Sequence, residues 1–250
     1  MKPAKHNLYI LILVFSALLQ QGCKKSAMCD CVKSTGTLIT EERTTSPFHY
    51  VELNNKVNLY VHQANEYRIT VTAGKHLIEK VTTETENGIL RIDNINKCNW
   101  VRDFNNTFDV HIYLPVLDTL EVFESSGNIY FVDTMKADRF SFQSWSSTGD
   151  YYIKLDASTS YMALQTGPAS LYASGKTGVC YMWNQGQGIY DARNLIADDI
   201  YASNRSMNKE YLFAKKKLYA KIEYSGDLYY GGNPSDIKLE DFGGGQFIPF

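Results

Sequence analysis

Gly127-Asn128-Ile129-Tyr130, Gly149-Asp150-Tyr151-Tyr152, Ala169-Ser170-Leu171-Tyr172, Gln187-Gly188-Ile189-Tyr190, Lys209-Glu210-Tyr211-Leu212 and Gly226-Asp227-Leu228-Tyr229 repeat one pattern about every 20 residues. A small or polar residue opens each copy, an apolar residue follows, and the copy ends in most cases on tyrosine. A second set falls between them at the same spacing: Phe140-Ser141-Phe142, Tyr161-Met162-Ala163, Cys180-Tyr181-Met182, Ile200-Tyr201-Ala202, Leu218-Tyr219-Ala220 and Ile237-Lys238-Leu239. Short alternating strands returning at a fixed period of about 20 residues mark a solenoid, in which each coil buries its apolar face only by stacking on the next. The expected fold is all-β: a single-stranded β-solenoid of about six C-terminal coils with an N-terminal strand and hairpin region stacked on it.

Side chains alternate across a strand. Ile129, Tyr151, Leu171, Ile189, Tyr211 and Leu228 are therefore expected inside, with Tyr130, Tyr152, Tyr172, Tyr190, Leu212 and Tyr229 outside. In the second set the outer two residues of each triplet should face in and the middle one out. Two outward columns follow, Tyr130, Tyr152, Tyr172, Tyr190 and Tyr229 in one and Tyr181, Tyr201 and Tyr219 in the other, with Trp183 beside the second.

Upstream, Val57-Asn58-Leu59-Tyr60-Val61 and Tyr67-Arg68-Ile69-Thr70-Val71 alternate with period two. Thr82–Glu86 and Ile89–Ile92 flank Asn87-Gly88, a hairpin turn signal because both residues tolerate positive φ. Phe108–Leu114 alternates again and stops at Pro115. The open ends of such a stack expose unpaired strand edges. The strands of 48–117 are expected to cover one end, and Gly243-Gly244-Gly245 with the tail Phe247-Ile248-Pro249-Phe250 the other.

Phe48-x-x-Val51, Val57-Asn58-Leu59-Tyr60-Val61, Ile69-Thr70-Val71, Glu86-Asn87-Gly88-Ile89-Leu90, Val110-His111-Ile112-Tyr113-Leu114-Pro115-x-Leu117, and Leu120-Glu121-Val122 running into Ser125-Ser126-Gly127-Asn128-Ile129 form an ordered series. In that order and spacing the chain resembles the autotransporter-adhesin head (GIN) domain family of Bacteroidetes-type bacteria. The likeness covers roughly residues 48–250. It departs from the family where the Gly turn is replaced, around Ala169 and Lys209. The resemblance implies an exported, non-enzymatic, adhesin-like role and lends no catalytic residues.

The N-terminus reads as an address. Lys2 and Lys5 precede an apolar run, Leu8–Leu19, of signal-peptide length. It ends at Gly22-Cys23, which resembles a bacterial lipoprotein processing site, although Gln20 and Gln21 stand where apolar and small residues are usual. The expected organisation is a lipoprotein signal peptide at 1–22, a lipidated Cys23 with a flexible polar tether at 23–46, and a head at 47–250, split into N-terminal strands (47–118) and repeating coils (119–250). The localisation that follows is the bacterial cell envelope, lipid-anchored, on the periplasmic face of the outer membrane or at the cell surface. Cys29, Cys31 and Cys98 would then see an oxidising compartment, which allows a bridge between Cys31 and Cys98. Cys180 falls in an apolar column and reads as a buried, inert thiol. Without residues 1–22 the formal net charge moves from −2 to about −4 with no basic stripe, so nucleic acid is not an expected partner.

No cofactor or metal site is legible. His49, His62, His76 and His111 lack ligand spacing, with His111 expected at the surface. The acids stand mostly at turns, where Asp bonds local backbone (Asp150, Asp156, Asp227, Asp236). Asp191, Arg193, Asp198, Asp199 and Arg205 are the nearest approach to the clustered carboxylates that polysaccharide lyases and hydrolases need. Lys215-Lys216-Lys217 reads as a solvated loop before a strand. The function expected is non-catalytic binding to a polysaccharide or an envelope or surface protein. The alternatives are a carbohydrate-active enzyme on a solenoid, or an envelope scaffold. The tyrosine columns either contact the ligand or stabilise neighbouring coils.

Overall fold

The structure, a computed structural model, describes residues 33–97 and 106–250. Thr35–Ile95 and Asn105–Phe250 form one compact unit, described here; a second unit, Met1–Ser34 with Asn96–Phe104, lies almost wholly outside the described residues. The leader, Cys23, Cys29, Cys31 and Cys98 fall outside them too. No helix among the described residues is long and apolar enough to cross a membrane.

The unit is a β-solenoid of about seven turns. Its strands are β1 (Leu38–Arg43), β2 (Tyr50–Asn54), β3 (Asn58–Gln63), β4 (Arg68–Gly74), β5 (Val81–Glu86), β6 (Ile89–Asn94), β7 (Phe108–Leu114), β8 (Thr119–Phe123), β9 (Ile129–Phe131), β10 (Met135–Trp145), β11 (Asp150–Leu164), β12 (Ser170–Asn184), β13 (Tyr190–Asn204), β14 (Glu210–Ile222), β15 (Leu228–Gly231), β16 (Asp236–Asp241) and β17 (Phe247–Pro249). They build two parallel stacks. One runs β6, β2, β8, then the C-terminal parts of β10 to β14, and ends on β16. The other runs β7, β3, β9, then the N-terminal parts of β11 to β14, and ends on β15 and β17. The long strands β11 to β14 belong to both because each bends around a corner between them.

The first coils do not stack in chain order. β2 and β3 lie between the coil made by β6 and β7 and the coil made by β8 and β9. The chain lays down β2 and β3, turns back through antiparallel β4 and β5, and returns to cover them. The Asn87-Gly88 turn makes that return possible, with both residues at positive φ (52° and 79°). β1 adds antiparallel to β4, so residues 38–43, expected within the tether, are part of the sheet. At the opposite end β16 and β17 form a last coil rather than a loose cover, and β16 carries Asp236, Lys238, Glu240 and Asp241, charges that discourage edge-to-edge pairing.

The core is continuous from Phe48 to Leu228. Two expectations about its register are corrected. In the triplet around Tyr161 the frame moves by one: Ser160 pairs with Phe140 and Cys180 on the inside, Tyr161 faces out, and Met162 is buried. Around Tyr190 the corner is one residue shorter. Leu164 to Leu171 spans seven positions, whereas the matching Asn184 to Tyr190 and Asn204 to Glu210 span six. Tyr190 therefore enters the core, where its hydroxyl donates to the Met162 carbonyl at 3.1 Å, and Ile189 is exposed. In the next coil Glu210 and Leu212 point in and Tyr211 points out.

Glu210 is thus a fully buried carboxyl with no hydrogen-bond partner among the described residues, and desolvation pushes its pKa up to about 8. Cys180 is buried and free, its thiol pushed up by burial to about 12, and it accepts a 3.1 Å bond from Ser160 Oγ, consistent with an inert thiol. Lys215-Lys216-Lys217 lies inside β14 rather than in a loop; Lys216 pairs with Asp198 at 2.9 Å and Lys217 approaches Asp236 at 3.8 Å.

Candidate functional site

The pleat that buries the core places aromatic side chains outside both stacks. On the second stack the outward column is His111, Tyr60, Tyr130, Tyr152, Tyr172, Asp191, Tyr211 and Tyr229. Its rings lie parallel, like coins in a roll. Tyr60 and Tyr130 are 5.1 Å apart, Tyr130 and Tyr152 5.4 Å at 3°, and Tyr152 and Tyr172 5.1 Å at 12°. Rings stacked at strand spacing spend their faces on one another and offer solvent only edges and hydroxyls.

Asp191 interrupts this column where Tyr190 was expected. Its carboxylate holds Arg193 at 2.9 Å, and the Arg193 guanidinium covers the Tyr211 ring at 3.8 Å. Stacking then resumes between Tyr211 and Tyr229 at 4.8 Å. At the other end His62 and His111, far apart in sequence, meet at 3.0 Å between ring nitrogens, and Arg68 caps Tyr113. His111 is accordingly packed in a ring stack on Tyr60 rather than simply solvated.

The first stack behaves differently. Tyr161, Tyr181, Tyr201 and Tyr219 follow one another on β11 to β14. Tyr181 and Tyr201 stack at 5.3 Å and 17°. Tyr201 and Tyr219 do not: their planes cross at 88°. The Tyr219 hydroxyl donates to Asp236 at 3.0 Å and the Lys217 ammonium lies 5.3 Å from its ring, which holds that ring out of the roll. The hydrogen bond to Asp236 also raises the phenol's pKa.

Two residues along each strand stand Trp183, Ser203, Lys221 and Glu240. Ser203 is small, so a recess of about 500 Å³ opens between the tyrosines and Trp183. Arg205 lies over the Trp183 ring at 4.2 Å and pairs with Glu223 at 2.7 Å. Glu223 also accepts from Ser203 Oγ at 2.6 Å, and these bonds, Arg205's first, hold its carboxyl below the usual range. Glu240 takes Lys221 at 3.2 Å and Lys238 at 2.9 Å. The result is an aromatic trough with a fixed polar rim, an arrangement suited to an amphipathic ligand. The structure brings Tyr181, Tyr201, Tyr219 and Trp183 together here. It places Tyr130, Tyr152 and Tyr172 in the closed roll, Tyr229 beside Tyr211, and Tyr190 in the core. Tyr161, Arg205, Glu223 and Glu240 join the site without having been singled out as contacts, although Tyr161 falls on the same 20-residue period.

The acids of the middle coils do not converge. Asp191 faces outward with Arg193, Asp198 is held by Lys216, and Arg205 serves Glu223. Trp145 ends β10 and stacks on Phe123 at 4.9 Å and 4°. Among the described residues no group of three or more His, Cys, Asp and Glu side chains could hold a metal ion.

A sequence-family model described as "Putative auto-transporter adhesin, head GIN domain" matches residues 47–234. No curated protein matches the sequence. A crystal structure of a putative adhesin from Bacteroides fragilis superposes with a TM-score of 0.79 at 18% identity, over 86% of this chain and 97% of that one. A putative lipid binding protein from Parabacteroides distasonis follows at 0.65 and 18%, over 87% and 98%. A putative adhesin from the same species gives 0.65 at 13%, over 86% and 98%. At these identities the neighbours establish the solenoid fold, and the match across residues 47–234 places this chain in the auto-transporter adhesin head GIN domain family.

Proposed function

We propose that the chain is the non-catalytic binding head of an exported lipoprotein, held in the bacterial cell envelope by lipid on Cys23, and that it contacts a glycan or protein surface through the Tyr181–Trp183–Tyr201–Tyr219 trough. The observation that carries this reading is the break in ring stacking between Tyr201 and Tyr219, beside which a recess of about 500 Å³ opens toward Trp183. Rigid aromatic anchors inside a fixed polar rim are where binding energy concentrates. Family membership and the adhesin names of two neighbours support a binding role. The separate pairing of Asp191 and Asp198 with their own cations speaks against a shared acid-base site.

The test is a binding screen of the full chain against glycans and isolated envelope proteins, repeated with Trp183→Ala and Tyr201→Ala. Loss of a retained partner in both variants, with folding intact, supports the trough; retention in both removes it. Cys23→Ala releasing the protein from membrane fractions supports the anchor; unchanged membrane association removes it.

A further inference from the structure

Ser203 is a small side chain set among four large ones. Trp183 lies beside it on the preceding coil and Lys221 on the following one. Tyr201 and Arg205 stand two residues before and after it in the chain. All five line the recess of about 500 Å³, and Ser203, although it faces outward with Trp183 and Lys221, is buried at the bottom. That volume falls in the range of small-molecule sites, about 300–1,000 Å³. A hole bounded on four sides takes a compact group rather than a flat patch of protein.

The two sides of the hole differ in chemistry. Tyr201 and Tyr219 precede Ser203 and Lys221 by two residues and form an aromatic wall; Arg205 and Glu223 follow them by two and form a polar one. At about 3.3 Å per residue the walls are rooted roughly 13 Å apart. The polar wall sets a donor beside an acceptor, Arg205 and Glu223 at 2.7 Å, and Glu223 is fixed further by Ser203 Oγ at 2.6 Å. Lys221 and Lys238 share Glu240 in the same way, at 3.2 Å and 2.9 Å. An ammonium only donates and a carboxylate only accepts, whereas a hydroxyl does both. Two neighbouring hydroxyls can therefore bridge such a pair without parting it. A ligand cation would find the Trp183 and Tyr219 rings already attended by Arg205 at 4.2 Å and Lys217 at 5.3 Å. A ligand anion would find each lining cation already facing a carboxylate.

We propose that the recess over Ser203 takes one ring of an uncharged sugar, with vicinal hydroxyls on the Arg205–Glu223 pair and the apolar ring face toward Tyr201 and Tyr219. This rests on the trough being the binding site. It adds the ligand's chemistry and its place within the trough.

Ligand-observed NMR titration of the full chain with the methyl glycosides of glucose, galactose, mannose, xylose and N-acetylglucosamine tests it, with methyl glucuronide and glucosamine as the charged probes. At least one neutral glycoside should bind with a Kd of ~0.1–10 mM, little changed between low and high salt. Its analogue lacking one hydroxyl of a vicinal pair should bind about tenfold weaker or less. Ser203→Tyr fills the hole at a strand position that suits tyrosine, and should cut the affinity about tenfold or more without lowering the melting temperature. Ser203→Leu is a second filler, should the tyrosine disturb the fold. Ser203→Ala leaves the hole open and should bind within about threefold of the unaltered chain. Binding of none of the neutral glycosides overturns the proposal. So does tighter, salt-dependent binding of either charged probe, or an affinity that neither filler reduces. A protein partner lost in the fillers would then leave the trough standing as a binding site; indifference of every ligand and partner to the fillers and to Trp183→Ala would remove both.

Discussion

Tyr201 and Tyr219 occupy paired positions on neighbouring coils, yet their rings meet edge to face, 5.6 Å apart and 88° between planes. Every other pair of ladder tyrosines in contact lies within 23° of parallel. The cause is local: Asp236, one coil further on, takes the Tyr219 hydroxyl. The same residue type at the same position in the repeat therefore serves two purposes, coil-to-coil adhesion where rings stack and an open aromatic wall where one ring is turned.

That difference has a measurable consequence. Tyr152 is sandwiched between Tyr130 and Tyr172, so Tyr152→Ala removes two ring contacts. At roughly 0.5–1.5 kcal/mol each, the loss is about 1–3 kcal/mol. Tyr219 has one edge contact and a hydrogen bond at a solvent-facing site, and Tyr219→Ala should cost clearly less than Tyr152→Ala. Urea midpoints at constant slope measure both. Equal losses would mean the parallel stacks contribute nothing special.

Glu210 links stability to pH. Its folded pKa, about 8, lies above the ordinary carboxylate value of 4.5, with burial the sole cause. Between those values the folded chain holds a proton that the unfolded chain has lost. Its contribution to stability is therefore fully present below about pH 4.5 and is lost as pH rises toward about 8, by an amount on the order of a few kcal/mol. Glu210→Gln, neutral at every pH, should flatten the descending part of the melting-temperature profile between pH 5 and pH 8. An unchanged slope in the variant would show that Glu210 is solvated in solution.

The His62–His111 pair acts in the opposite sense. Burial first, then for His62 the facing His111, lowers both pKa values from 6.5, and Arg68 disfavours a charge on either ring. Asp133 near His62 and Asp109 near His111 oppose the shift without reversing it. A depressed folded pKa means the unfolded chain takes up protons first, so this contribution is present above pH 6.5 and fades as pH falls below it. In the double variant Glu210→Gln with His62→Gln the remaining acid-side loss between pH 6.5 and pH 5 should shrink relative to Glu210→Gln alone. Thermal melts across that range decide it.

Much of this was legible in the sequence because a solenoid is a local code. The 20-residue period, the inward Ile129 and Leu171, the Asn87-Gly88 hairpin and the outward Tyr181 and Tyr201 all follow from alternation and turn chemistry. What escaped depends on distant partners. Gly188-Ile189-Tyr190 resembles Gly149-Asp150-Tyr151-Tyr152 closely enough to suggest the wrong frame, and only the pairing of Leu171 with Tyr190 reveals the shorter corner. The stacking of β2 and β3 between later strands leaves no trace in periodicity. The ring planes of Tyr201 and Tyr219, on which the trough depends, are set by a side-chain bond to the following coil.

The corners provide the sharpest test of the stacking itself. Gly188 sits where a Cβ would lie 1.9 Å from the carbonyl oxygen of Ala169 in the preceding coil. That neighbour is backbone, so no rotamer change can relieve it. Gly186, two residues earlier, is different: its nearest neighbours would be the Gly167 carbonyl oxygen at 3.1 Å and the Leu164 Cβ at 3.2 Å, close enough for a small shift to absorb. Both substitutions by Ala restrict the unfolded chain equally, a stabilising effect of about 0.4–1 kcal/mol. Gly188→Ala should nevertheless lose on the order of 3 kcal/mol or more, because it pries apart two coils that share a continuous core. Gly186→Ala should stay within about 1 kcal/mol of the unaltered chain. Denaturant midpoints for the two variants, measured side by side, separate coil contact from glycine's backbone entropy; matching losses would mean the corners are looser in solution than the close approach of Gly188 to Ala169 requires.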